Sequence, residues 1–158
     1  MLNPISLAAD TCSIILLEKS GALPAVAHRL TLAVPETVLQ ELAAHGVDHY
    51  QPYLRIVETP GMEIQNGSGK LSNTDRQIIS LCQQGDCDAI LSDDKQILLY
   101  ADRNNLDYYS CLSLYALMYH KGLFELEEVM RFFNKTKSVG RYSQKVIDMA
   151  LKMIRARH

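Results

Sequence analysis

The sequence lacks any marked excess of charge: 16 Lys and Arg stand against 18 Asp and Glu, a balance of −2, so bulk charge carries no signal for or against a nucleic-acid partner. It also lacks an apolar run approaching the ~18 residues of a membrane-crossing helix. The opening Met1-Leu-Asn-Pro has no basic n-region of a secretion signal. These absences lead us to expect a soluble, cytoplasmic protein with reduced thiols and no membrane partner. Cys12, Cys82, Cys87 and Cys111 share no zinc-type spacing. Cys12 and Cys82 lie in apolar runs and read as small buried hydrophobes. Asn66-Gly-Ser68 and Asn134-Lys-Thr136 match a glycosylation pattern that has no meaning without secretion. Gly67 to Lys70 is not a P-loop, because no glycine occupies position 64. There is neither an internal repeat nor a linker long enough to divide the chain.

What is present is an ordinary globular composition, 47% apolar, over a length suited to one domain spanning 1–158. The charge is unevenly spread. Residues 1–120 hold 7 Lys and Arg against 14 Asp and Glu, whereas residues 121–158 hold 9 against 4. An acidic body with a basic end can set a carboxylate site beside a phosphate-binding surface; the plainer alternative is a set of solvated helices.

Short apolar runs alternate with helical patterns. Ile5 to Asp10, Leu32 to Val34, Tyr53 to Glu58, Asp88 to Ser92 and Leu106 to Tyr109 read as strands. Helices are expected from Cys12 toward Gly21, Leu23 to Leu30, Glu36 to Ala44, Ser72 to about Gln84, and Lys95 to Asn104. Ser113 to His120, Glu125 to Asn134 and Ser143 to Arg157 complete a helical C-terminal end. Pro35 followed by Glu36 is a helix start, and Gly46 a stop. Short apolar strands between helices predict a parallel sheet covered on both faces, an α/β fold.

In such sheets sites form where strand carboxyl ends and their loops converge. Asp10 ends the first strand with no cap or pair in the sequence to explain it. Asp93 and Asp94 follow the strand around Ala89–Leu91, and Glu41 and Asp75 lie near helix starts that can face the same edge. Carboxylates gathered at ~4–6 Å repel strongly and call for a hard divalent cation such as Mg²⁺ or Mn²⁺. Each acid has a bland alternative. Asp75 sits three residues after Ser72, at capping-box spacing. Glu41 can mark the edge of a helix stripe beside Val38, Leu39 and Leu42. Asp93-Asp94 can be a solvated helix N-terminus.

The order and context of these acids resemble the PIN-domain family. Asp10-Thr11 is followed by an apolar Ser-Ile-Ile-Leu-Leu, and Val34-Pro35-Glu36-Thr37-Val38-Leu39-Gln40-Glu41-Leu42 fits a Val-Pro-x-x-Val-x-x-Glu-Leu segment. Thr74-Asp75-Arg76-Gln77-Ile78 opens a helix with a third acid, and Ser92-Asp93-Asp94-Lys95 supplies a fourth after a short strand. Ala101-x4-Leu106 and the stretch Leu112 to Gly122 resemble a stand-alone prokaryotic branch, so the likeness runs over roughly 5–122, with C-terminal helices at 123–158. Two departures stand out: Arg76-Gln77 where small residues are usual, and a long Gly61 to Leu71 segment.

The resemblance implies a three-layer α/β/α fold and Mg²⁺- or Mn²⁺-dependent cleavage of single-stranded RNA. Carried over, Asp10, Glu41, Asp75 and Asp94 would ligate metal or orient water, with Asp93 and Ser92 beside them. Many stand-alone relatives resemble toxins held by a small antitoxin protein, and homodimers are common among them. Lys70, Lys95, Lys135, Lys137 and Arg141 are candidates for contacts to RNA phosphates, and Tyr108-Tyr109 for stacking on bases. The competing classes are a catalytically weak RNA-binding or protein-interaction module on the same fold, and a phosphoacceptor domain. The phosphoacceptor would want its acidic pair at the first strand, where Asp10 stands alone. His45 and His49 have metal-ligand spacing, but Gly46 between them breaks the helix they would need.

Overall fold

A computed structural model describes residues 4–46, 51–58 and 71–156. Chain order is β1 (Ser6–Ala9), α1 (Thr11–Lys19), α2 (Leu23–Arg29), β2 (Thr31–Pro35), α3 (Glu36–Ala44), a 3₁₀ turn (Gln51–Tyr53) and β3 (Arg55–Val57). Then follow α4 (Asn73–Gln83), β4 (Ala89–Leu91), α5 (Lys95–Arg103), β5 (Tyr108–Tyr109), α6 (Cys111–His120), α7 (Leu126–Val139) and α8 (Gln144–Arg155). The strands form one sheet in the order β3-β2-β1-β4-β5, and every pairing is parallel. The expected α/β fold, a parallel sheet flanked by helices with a helical C-terminal end, is what forms.

That order sets the layers. From β1 to β3 the chain steps toward one edge, then jumps back across β1 to build β4 and β5 on the other side. Right-handed crossovers in opposite directions put their helices on opposite faces. Accordingly α4 packs across β1, β2 and β4 and beside α5, while α1 packs with α2, α3, α6 and α7. The central strand β1 is covered from both sides, and Leu7, Ala8 and Ala9 are fully buried. Ala8 pairs in register with Ala33 on one side and Ile90 on the other.

Helix ends follow the local chemistry. Gly21 at φ +71° and Gly46 at φ +75° take the left-handed conformation that stops α1 and α3. Several boundaries differ from the sequence expectation; β5, for one, is only Tyr108–Tyr109, shorter than the expected Leu106 to Tyr109. Tyr53 belongs to the 3₁₀ turn rather than to β3. α6 begins at Cys111, ahead of the expected Ser113, because Ser110 and Ser113 close a capping box at its start. α7 runs past Asn134 to Val139, because Thr136, in an otherwise polar run, is buried and its hydroxyl meets the Tyr115 hydroxyl at 2.7 Å. Among the described residues, no helix is long and apolar enough to cross a membrane.

Candidate active site

The chain reverses its strand order between β1 and β4, the point at which parallel sheets open a crevice at their carboxyl edge. Asp10 leaves β1 there, and the Ser92-Asp93-Asp94 turn leaves β4 beside it. The Asp10 N–H reaches the Leu91 carbonyl at 3.3 Å.

Asp10 is a cap after all. It is the N-cap of α1, and its Oδ1 accepts from the Ser13 N–H at 2.9 Å. Ser92 Oγ donates to its Oδ2 at 2.5 Å. Only 7% of Asp10 is exposed. Burial pushes its carboxyl above the ordinary range, the hydrogen bonds from Ser13 and Ser92 oppose the shift, and the nearby Asp93 charge adds to it.

Glu41 reaches the same edge from the exposed side of α3. Thr11 Oγ1 donates to its Oε2 at 2.6 Å, and Thr74 Oγ1 to its Oε1 at 2.7 Å. Those two threonines are the chain neighbours of Asp10 and Asp75, so Glu41 is bracketed by the starts of α1 and α4. Asp75 forms the capping box that its spacing foretold: its N–H donates to Ser72 Oγ, and its Oδ2 accepts from the Ser72 N–H, both at 3.1 Å.

Asp93 and Asp94 are adjacent but face different ways. Asp94 caps α5, with Oδ1 accepting from the Gln96 and Ile97 N–H groups at 2.8 and 3.2 Å. Its own N–H donates to Ser92 Oγ at 3.0 Å, which ties it through one hydroxyl to Asp10. Asp93 turns toward the C-terminal helices. Its Oδ1 accepts from the Cys111 N–H at 3.1 Å, and its Oδ2 from the Tyr142 hydroxyl at 2.7 Å.

Cys12 shows how four of the acids converge. Burial raises its thiol pKa first, and the charges of Asp10, Glu41, Asp94 and Asp75 raise it further. One side chain thus feels acids from β1, α3, α4 and the β4 turn. The expectation that Cys12 is buried is corrected: it is exposed, because α1 starts at the open edge and turns Thr11 and Ser13 inward instead. Cys82 is half-buried rather than buried.

The basic candidates divide. Lys95 is exposed at the first position of α5, next to Asp94, and Arg141 is exposed beside Tyr142. Lys135 and Lys137 lie on the exposed side of α7. Lys70 and His49 fall outside the described residues. Sequence reasoning gave no role to Thr11, Thr74 or Tyr142. The two threonines adjoin quoted acids and could have been found that way; Tyr142, 49 positions from Asp93, had no such signal.

A family model described as a PIN domain matches residues 6–156. No curated protein matches the chain. The match extends through α7 and α8, beyond the roughly 5–122 that carried the sequence likeness, and the chain belongs to the PIN-domain family, a superfamily of nucleases.

Proposed function

We propose that this chain is a divalent-metal-dependent endoribonuclease that cleaves single-stranded RNA, with Asp10, Glu41, Asp75 and Asp94 holding Mg²⁺ or Mn²⁺. The observation that carries the proposal is the hydrogen-bond linkage at the carboxyl edge of the sheet, where Thr11 and Thr74 tie Glu41 to the neighbours of Asp10 and Asp75, and Ser92 ties Asp10 to Asp94. The donors are carboxylate oxygens, the ligands a hard cation prefers. Asp10 gives the strongest fit, since a cation beside a buried carboxylate offsets the cost of ionising it. Among the described residues, no group of three or more His, Cys, Asp and Glu stands ready to hold an ion. Mg²⁺ commonly takes one or two carboxylates and keeps several of its own waters. A bound cation supplies polarisation of the phosphodiester and a more acidic water.

The chain's own groups do the positioning. Thr11 and Thr74 fix both oxygens of Glu41, and Ser92 holds Asp10 and the Asp94 backbone together. Lys95, next to Asp94, and the exposed Arg141 are the candidates for contacts to RNA phosphates, which orient a strand without reading its sequence. Pairing with a second copy, or inhibition by a small antitoxin-like protein, belongs to the same reading. Exposed Val146, Met149 and Met153 on α8 support it.

Cleavage of labelled single-stranded RNA with Mn²⁺, Mg²⁺ or EDTA tests the proposal, with Asp94→Ala as comparison. Metal-dependent cleavage that the substitution lowers by about 100-fold is expected. No cleavage with either metal, or an equally active variant, overturns it. A second reading, a catalytically weak RNA-binding or protein-interaction module, draws on the capping roles of Asp10, Asp75 and Asp94. It predicts RNA retention without cleavage in the same assay.

A further inference from the structure

The Ser92-Asp93-Asp94 turn carries two of the proposed site's elements on either side of a residue that faces elsewhere. Ser92 Oγ points to Asp10, and Asp94 caps α5. Between them, Asp93 is gripped by two donors from the C-terminal part of the chain, the Cys111 N–H at the start of α6 and the Tyr142 hydroxyl. The first is a helix N-terminus, which favours a carboxylate. The second comes from the short connection between α7 and α8.

That connection is shaped around the tyrosine. Gly140 has φ −83° and ψ 171°, a conformation open to any residue, so backbone freedom is not what glycine supplies here. A Cβ at Gly140 would lie 2.5 Å from Tyr142 Cε2, inside any tolerable contact, and 3.2 Å from the Thr136 carbonyl oxygen. The missing side chain at position 140 is therefore room for the Tyr142 ring.

We infer that Tyr142 is a positioning residue for the acidic site. Its hydroxyl holds Asp93 against α6 and so fixes the turn that presents Ser92 to Asp10 and Asp94 to α5. The inference rests on the metal-dependent reading above and deepens it. It ties the last two helices to the site, and it makes Asp93 a latch rather than a metal ligand. The Asp93 carboxylate is engaged by the Cys111 N–H and the Tyr142 hydroxyl, and its charge also adds to the burden on Asp10. Loss of the tyrosine hydroxyl frees that carboxylate and loosens the turn.

The test uses Mn²⁺ alone and the full chain, with Tyr142→Phe, Gly140→Ala, Asp93→Ala and the Asp93→Ala/Tyr142→Phe pair. Groups that support metal ligands from behind change metal affinity by about 10-fold or more. Tyr142→Phe is expected to weaken Mn²⁺ about 10-fold and to speed amide exchange at Gln96 and Ile97, whose N–H groups Asp94 accepts. It should lower kcat on RNA with little change in KM. Gly140→Ala, which displaces the ring, should reproduce these effects. The double variant should be no worse than Asp93→Ala, since the tyrosine acts through the aspartate. Wild-type Mn²⁺ affinity and exchange in Tyr142→Phe, or additive effects in the pair, overturn the inference. Exchange and Mn²⁺ binding need no RNA, so they are separable from the nuclease reading. A wild type that binds Mn²⁺ without cleaving RNA sinks only the latter, and in one that binds no Mn²⁺ the exchange result alone decides on Tyr142.

Discussion

Thr11 Oγ1 donates a 2.6 Å hydrogen bond to Glu41 Oε2, joining the residue after the β1 acid to the acid of α3. With Thr74 on its other oxygen, the Glu41 carboxylate is oriented although its residue is exposed. Thr11→Val keeps the shape and removes one donor. Stability should fall by about 1 kcal/mol, the net worth of one hydrogen bond. Cleavage should fall further, by about 10-fold, because the lost bond orients a site carboxylate. Thermal melts and kcat/KM measured together check this; a change in stability alone would make Thr11 merely structural.

Asp10 gives the fold a pH dependence of definite sign. Burial holds its carboxyl above the ordinary 3.8, so the folded chain binds that proton more tightly than the unfolded one. Its contribution to stability is complete below that ordinary value and is lost as pH rises through the folded value. Asp10→Asn keeps an oxygen for the Ser13 N–H and removes the buried charge. Without metal, the variant should be more stable than wild type at pH 7, on the order of 1 kcal/mol. The gap should close as pH falls below the ordinary carboxylate value. Denaturant unfolding across pH measures it, and a gap constant with pH would contradict the assignment.

Asp93 and Asp94 should trade places between two assays. Asp94→Ala removes a helix cap, about 1 kcal/mol, but should lower cleavage by about 100-fold as a site carboxylate. Asp93→Ala strands the Cys111 N–H and the Tyr142 hydroxyl and should cost more stability, about 1–3 kcal/mol, with the smaller loss of cleavage. The opposite ranking in either assay contradicts the division of labour.

Much of this was legible from the residues. Asp10 could be placed because an apolar run ends on it, and Glu41 because Val34-Pro35 fixes where α3 begins. Asp75 reads twice, as a capping-box acid and as a site acid, and the structure supports the first without removing the second. What one dimension hides is direction. Successive residues of a turn point to different neighbours, so Asp93 and Asp94 look equivalent in sequence but meet different partners. Cys12 sits in an apolar run yet faces the open edge, because a helix starting at the site turns one early residue outward. The Tyr142 contact depends on how α6 to α8 pack, which no local period encodes.

Cys12 offers a chemical probe of the same edge. The residue is exposed, yet partial burial of the thiol, and after it the charges of the four acids, disfavour the thiolate. Alkylation of Cys12 by a neutral maleimide, followed by peptide mass analysis, should be slow, and Mn²⁺ should speed it by offsetting the acidic charges that keep the thiol protonated. A rate indifferent to Mn²⁺ would place the cation elsewhere.

The central claim is that Asp10, Glu41, Asp75 and Asp94 share one cation site. Calorimetric titration of Mn²⁺ into the RNA-free protein, wild type against Glu41→Gln and Asp94→Asn, tests it most directly. Binding by wild type, weakened about 10-fold or more in each variant, is the predicted result. No binding by wild type, or equal affinity in all three proteins, would contradict it.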